Sequence, residues 1–95
     1  MQTSSLEPLE NADLLTEIVR ALVKNPEDVS VKEEKTQHGF HFRIICAPSD
    51  AGLVIGTGGT IINAIRTLYK SFGAAEDMKL TLDLDESVKA LRPAA

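Results

Sequence analysis

The chain has few of the residues on which covalent, metal or membrane chemistry depends. Its 95 residues contain one cysteine, Cys46, so an intramolecular disulfide bond is excluded. The two histidines, His38 and His41, do not combine with that cysteine at a spacing typical of zinc ligands. No apolar run reaches the roughly 20 residues that cross a membrane. The sequence therefore predicts no metal site, no cofactor and no membrane segment.

Aromatic residues and positive charge are also scarce. The chain has no tryptophan, one tyrosine and three phenylalanines, and side-chain patterns place Phe40 and Phe42 inward, so few rings remain to stack on bases. The net charge of −4 disfavours a strongly electrostatic nucleic-acid binder. The charge is uneven, because residues 36–75 are net positive between two acidic flanks. That middle segment is where the sequence favours an anionic ligand.

The composition is that of one small globular domain. Hydrophobic residues make up 43% and charged residues 25% of the chain, which is typical of a folded protein. The first ten residues, MQTSSLEPLE, lack the basic and apolar regions of a signal peptide, so a cytoplasmic location is expected. No nucleophile, base and orienting group occur in a recognisable pattern, which favours a non-enzymatic protein. Residues 1–10 are predicted to be a flexible leader, 11–86 the domain and 87–95 a short tail.

Hydrophobic periodicity predicts six elements. A helical stripe runs from Leu14 to Val23, and alternating patterns indicate strands around Val29–Val31, Phe40–Cys46 and Met78–Leu84. Ser49-Asp50 is interpreted as the cap of a short helix at 51–55, and a longer helix begins at Thr60 and is expected to end at Gly73 in the left-handed conformation. The predicted order is α-β-β-α-α-β. It indicates an α+β fold with a three-stranded sheet covered on one face by three helices.

The segment VIGTGGTII, residues 54–62, joins the two consecutive helices and has three glycines in four positions. A dinucleotide site requires G-x-G-x-x-G between a strand and a helix, and this segment has neither that spacing nor that context. TGGTI, residues 57–61, resembles the threonine motif of asparaginases, but the base and oxyanion groups of a nucleophilic threonine are missing. A glycine turn that only lets two helices pack closely remains an alternative.

Residues 54–62 match the [VI]-I-G-x-x-G-x-x-[IV] core of RNA-binding KH domains. Residues 47–68, APSDAGLVIGTGGTIINAIRTL, and 17–31, EIVRALVKNPEDVSV, are similar to small bacterial single-KH RNA-binding proteins of the KhpA (YlqC) type. The resemblance spans roughly residues 11–86. It implies a type II KH-like fold, and self-association or pairing with a second KH-containing RNA-binding protein.

The resemblance also implies where single-stranded RNA is bound. Such a loop clamps the backbone of about four nucleotides, and glycines let phosphate approach the amides at the start of the following helix. Thr57 is expected to add a hydroxyl donor, and Thr60 to cap the helix. The loop residues are Gly56, Thr57, Gly58, Gly59 and Thr60. The adjoining groove is predicted to contain Leu53, Ile55 and Ile62 as an aliphatic floor, with Arg66, Arg43 and Lys70 as cationic donors.

The loop departs from the family pattern between its two outer glycines. Relatives commonly carry lysine or arginine there, whereas this chain has Thr57-Gly58. Without that cation, few phosphates are neutralised, so we expect weak binding with a shallow salt dependence and low sequence selectivity. The alternative function is a protein–protein interaction module that keeps the fold and has little affinity for RNA.

Overall fold

The computed structural model describes residues 11–91. The helices in that range are α1 (Asn11–Leu22), α2 (Ala51–Ile55), α3 (Thr60–Ala75) and α4 (Glu86–Leu91), and the strands are β1 (Ser30–Lys35), β2 (Gly39–Ile45) and β3 (Lys79–Leu84). Short 3₁₀ turns occupy Pro26–Asp28, Pro48–Asp50 and Thr57–Gly59. The predicted leader, 1–10, and residues 92–95 of the predicted tail lie outside the described residues.

The strands form one mixed sheet in the order β1-β2-β3. The pair β1 and β2 is an antiparallel hairpin, closed by a hydrogen bond from the Thr36 amide to the Gly39 carbonyl, whereas β2 and β3 are parallel. A parallel pair needs a long crossover, and α2 with α3 provides it. The predicted α+β class, element order and covering helices are thereby confirmed.

The core lies between the sheet and the helices. The inward side of the sheet contributes Phe42, Ile44, Cys46, Leu80, Leu82 and Leu84, and the helices contribute Leu15, Val19, Val54, Ile62, Ile65 and Tyr69. Phe42 is fully buried and packs edge-on against Tyr69, with ring centroids 5.6 Å apart. Phe40 is half-buried and packs against the same core, so the phenylalanines of β2 do not form a fully exposed stacking surface for bases.

The fully buried Tyr69 links α3 to the start of α1. Its hydroxyl donates to the Asn11 carbonyl at 2.7 Å, so the buried polar group keeps a hydrogen-bond partner. Burial raises the pKa of this phenol to about 12. Burial, together with the charge of Asp50, also raises the pKa of the Cys46 thiol, which makes Cys46 an inert core residue rather than a nucleophile.

The prediction that Gly73 ends the helix in the left-handed conformation is wrong. Helix α3 continues to Ala75, and Asp77, with φ of 57°, takes the left-handed position instead. Gly73 is needed for a different reason, since a Cβ there would lie 2.5 Å from the Met78 carbonyl oxygen. The missing side chain lets the start of β3 pass directly against α3.

Helix α4 follows β3 and packs on the same core. Val88 is 2% exposed, and the Asp85 carboxylate caps the helix by accepting bonds from the Ser87 amide at 3.1 Å and hydroxyl at 2.6 Å. Those bonds lower the pKa of Asp85. The first part of the predicted tail, 87–91, is therefore helical and contributes a core residue.

Within residues 11–91, no single helix is both long and apolar enough to cross a membrane. The segments 48–55 and 57–75, bent by 45° at Gly56, meet that length and composition criterion only together. Their apolar side chains Val54, Ile62 and Ile65 are buried in the core described above.

Candidate nucleic-acid interface

The three clustered glycines form a tight joint between α2 and α3. The Gly56 amide donates to the Gly52 carbonyl at 2.9 Å and closes α2, and the Gly59 amide donates to the Gly56 carbonyl at 3.1 Å. The φ angles of Gly56, Gly58 and Gly59 are 79°, 63° and 81°. Side chains rarely adopt such angles, so the backbone path explains the glycine cluster.

The glycines differ in what surrounds them. A Cβ on Gly56 would lie 2.7 Å from Ile61 Cγ1, and one on Gly59 would lie 3.2 Å from Asn63 Nδ2, whereas one on Gly58 would meet nothing within 4 Å. Gly56 and Gly59 therefore let the loop fold closely onto the first turn of α3. Gly58 faces open space at the tip. Close packing, which the sequence left open as an alternative, thus accounts for part of the glycine pattern.

The N-terminus of α3 opens onto this loop. The prediction that Thr60 caps the helix is wrong, because the N-cap residue is Gly59 and no side chain makes a cap hydrogen bond there. Thr60 is instead the first helical residue, and Thr57, Gly58 and Thr60 are all exposed. The Thr60 amide donates to the Thr57 carbonyl of the preceding turn, and the start of the helix carries a partial positive charge. The loop therefore borders a surface that attracts an anion.

The predicted aliphatic floor is split between surface and core. Leu53 on α2 is 38% exposed, Ile55 is half-buried, and Ile62 is 5% exposed and belongs to the core. Leu53 and Ile55 are thus the members of this set whose apolar surface a ligand beside the loop can reach.

Arg66 bridges α3 to the outer edge of β3. Its Nε donates to the Leu82 carbonyl at 3.1 Å, its Nη2 to Asp83 Oδ1 at 3.2 Å and its Nη1 to Asn63 Oδ1 at 2.8 Å. Asp83 also accepts a bond from Lys89 Nζ at 2.8 Å. Burial acts to raise the pKa of Asp83, but the hydrogen bonds from Lys89 and the Leu84 amide and the charges of Lys89 and Arg66 outweigh it and lower that pKa.

The other two predicted cations lie apart from this edge. Arg43 points to the face of the sheet away from the helices, where its Nε pairs with Glu34 Oε1 at 3.1 Å. Lys70 is exposed one turn beyond Arg66 on α3. The structure therefore brings Arg66 near the loop, through Asn63, and does not bring Arg43 there.

Asn63 is a polar contact that the sequence analysis missed. It lies four residues after Gly59 and three before Arg66, and these spacings place all three residues on one side of the helix start. The sequence shows this spacing, but a lone asparagine belongs to no motif that would have marked it as a site residue. Its side chain connects the loop to the arginine.

Asp50 has a different role from the cap that the sequence predicts. It occupies the N-cap position of α2 without making a side-chain cap bond, and it is 1% exposed. Its Oδ2 accepts from the Asn25 amide at 3.0 Å and from Asn25 Nδ2 at 3.1 Å. The carboxylate therefore connects the segment after α1 to the start of α2, which is the helix that leads into the loop.

An open concavity of about 510 Å³ lies at the opposite end of α3. Its lining includes Gln37, His38, Asp77 and Lys79, and it is separated from the loop by the length of the helix. Among residues 11–91, no three histidine, cysteine or acidic side chains come together as metal ligands.

A family of known proteins matches this chain over most of its length. The family model described as "KhpA/KhpB, KH domain" matches residues 12–84. The "RNA-binding protein KhpA" of Listeria monocytogenes serovar 1/2a is 38% identical over 74 residues, covering 78% of this chain and 97% of the relative. Proteins of the same name from Chlamydia caviae and Clostridium perfringens are 36% and 35% identical, covering 78% and 76% of this chain and 95% and 96% of the relatives. No solved structure gives a significant match.

Proposed function

This chain belongs to the KhpA/KhpB family of KH domains, and we propose that it binds the backbone of single-stranded RNA through the loop Gly56–Gly59. The observation that carries the proposal is the position of the G-x-x-G motif. It forms the joint between two helices, all its glycines have positive φ, and the uncapped N-terminus of α3 opens directly onto it. The relatives are named as RNA-binding proteins.

The chemistry of the loop suits a phosphate. Thr57 and Gly58 are exposed at the tip, and Gly58 has open space in place of a side chain. A phosphate oxygen can therefore approach the main chain of the loop closely, where the partial charge of the helix favours an anion. Thr57 adds a hydroxyl donor. Bound sugar and base then extend towards Leu53 and Ile55 on α2 and towards Arg66 on α3.

The binding is weak and unselective for base sequence. The loop has no lysine or arginine, and Arg66 is already engaged with Leu82 and Asp83, so few phosphates gain a free cation. Lys70 supplies charge one turn further along α3, while Arg43 lies behind the sheet. Affinity that depends on few cations has a shallow salt dependence.

The protein acts as a non-catalytic module together with a partner. Weak single-site binding becomes effective when a second RNA-binding surface is linked to the first, because the second contact forms at a high effective concentration. A second copy of this chain, or another KH-containing RNA-binding protein, meets that need. The proposed location is the cytoplasm, where single-stranded RNA is available.

A second candidate function is a protein-interaction module with little RNA affinity. The observation that favours it is apolar exposure on the two helices that the loop joins, since Leu53 on α2 and Leu68 on α3 are 38% and 43% exposed. The net charge of −4 also disfavours a polyanion. The two candidates differ in whether the isolated protein binds RNA at low salt.

The experiment measures binding of a fluorescein-labelled single-stranded RNA of randomised sequence by anisotropy, at low salt and high protein concentration. The variant replaces Thr57→Asp and Gly58→Asp together. Asp tolerates the left-handed conformation of residue 58 better than most residues, and the site is open, so the variant is expected to fold. The matched control is Thr57→Asn with Gly58→Asn, which keeps the shape without charge.

We expect the wild type and the Asn control to bind and the Asp variant to lose at least about tenfold in affinity, because two carboxylates face the phosphate. Circular dichroism and thermal unfolding verify that all three proteins fold. Equal binding by the Asp variant and the wild type would exclude the loop clamp. Absence of wild-type binding would favour the interaction module.

A further inference from the structure

The carboxamide of Asn63 lies between the glycine loop and Arg66. Its Nδ2 is 3.2 Å from the position that a Cβ of Gly59 would occupy, and its Oδ1 accepts a hydrogen bond from Arg66 Nη1 at 2.8 Å. The absent Cβ of Gly59 thus leaves room for the amide nitrogen against the loop.

The direction of this amide is determined by Arg66. A guanidinium group carries only donors, so the carbonyl oxygen of Asn63 must face it and the NH₂ group must face the loop. Arg66 is itself held by its bonds to the Leu82 carbonyl and to Asp83. The edge of β3 therefore fixes the guanidinium, which in turn fixes the donor end of Asn63.

We propose that the Asn63 carboxamide donates Nδ2–H to the RNA phosphate bound at Gly59. It is a neutral donor beside a loop that has no lysine or arginine at positions 57 and 58. This inference rests on the proposed function. Asn63 is exposed, so a ligand at the loop can reach it. Because the donor is held in place before RNA arrives, little side-chain entropy is lost on binding. In this arrangement Arg66 is a positioning residue for Asn63.

The decisive variant is Asn63→Asp. Aspartate keeps an oxygen that accepts from Arg66, so a purely structural link to the arginine survives, while the donor facing the loop becomes a negatively charged acceptor. A second variant, Asn63→Ala, removes the donor without adding charge. The matched charge control is Ala64→Asp, an exposed neighbour that points about 100° away around the helix.

Binding is measured with the same labelled RNA of randomised sequence, alongside the Thr57→Asp, Gly58→Asp double variant. We expect Asn63→Ala to bind about tenfold more weakly, as befits a lost hydrogen bond to a charged group. Asn63→Asp is expected to lose more, and Ala64→Asp to stay within about twofold of the wild type. Unchanged thermal unfolding of Asn63→Asp separates the loss of binding from a loss of fold.

Three other outcomes would overturn the proposed role of Asn63. If the double loop variant loses binding while Asn63→Ala and Asn63→Asp do not, the loop clamp stands and the role of Asn63 is overturned. Equal losses in Asn63→Asp and Ala64→Asp, with none in Asn63→Ala, would reveal a general charge effect and also overturn it. If the wild type does not bind RNA, the proposed function fails, and the inference fails with it.

Discussion

Gly56 lies directly beneath the side chain of Ile61, so that a Cβ on the glycine would come within 2.7 Å of Ile61 Cγ1 and 2.9 Å of the Ile61 amide nitrogen. The backbone of Gly56 has φ of 79° and ψ of 168°, a region occupied almost only by glycine. Backbone conformation and packing therefore both require glycine at position 56. The absence of a side chain there lets the loop pack against the first turn of α3.

Replacement of Gly56 by alanine is expected to lower the free energy of unfolding by about 3 kcal/mol or more, since it adds a clash to the backbone strain. Gly58→Ala is the matched comparison, because it also has positive φ but open surroundings, and it should cost about 1 kcal/mol. Urea denaturation monitored by circular dichroism measures both. Equal destabilisation would contradict the distinct packing role of Gly56.

A lysine in the loop should strengthen RNA binding. Thr57 is exposed and does not have a positive φ, so Thr57→Lys fits the backbone and places one ammonium group beside the phosphate. We expect about fivefold tighter binding at roughly 0.1 M salt and a plot of log affinity against log salt that is steeper by about 0.7. Thr57→Gln provides a neutral side chain of similar length. A gain shared by both variants would show that charge is not its cause.

The link between Asp50 and Asn25 should stabilise the fold and support the loop. Asp50→Ala leaves the Asn25 amide and carboxamide without their acceptor, which is expected to cost about 2 kcal/mol. A double-mutant cycle with Asn25→Ala should give a coupling energy of about 1 kcal/mol or more. Additive effects of the two substitutions, measured by urea denaturation, would mean that the two side chains do not stabilise each other.

The cap of α4 should make stability depend on pH in the acid range. Hydrogen bonds from the Ser87 hydroxyl and amide lower the pKa of Asp85, so its folded pKa lies below its unfolded value of about 3.9. The stabilisation is therefore present above about pH 4 and is lost as pH falls through the lower, folded pKa. The side-chain carbonyl introduced by Asp85→Asn also accepts these bonds but does not titrate.

Thermal unfolding from neutral to acid pH tests this effect. Asp85→Asn lacks the ionised carboxylate, so it should melt somewhat below the wild type near neutral pH and lose less in melting temperature below about pH 4. If the melting temperatures of the two proteins fell by the same amount at every pH, this carboxylate would make no contribution to acid unfolding.

Local pattern was enough to determine the motif and six of the seven helices and strands in residues 11–91, all but α4. Alternating apolar residues in 40–46 and 78–84 specify strands with one buried face, and helical spacing after Thr60 specifies α3, because such periodicity follows from backbone geometry. The G-x-x-G spacing of Gly56 and Gly59, between two helical segments, identified the family without any long-range contact.

The tertiary structure decided what the individual polar and glycine residues do. Arg66 is committed to Leu82, 16 residues away, and Asp50 binds Asn25, 25 residues away. These long-range pairs form because of the way in which the helices and strands pack together, and no local sequence pattern encodes that packing. The same docking turned Gly73 from an expected helix end into a point of close approach by β3, and placed the amide of Asn63 against Gly59. The sequence by itself determined the α+β fold and the location of the loop, whereas the packing of helices on the sheet decided which side chains can reach a ligand there.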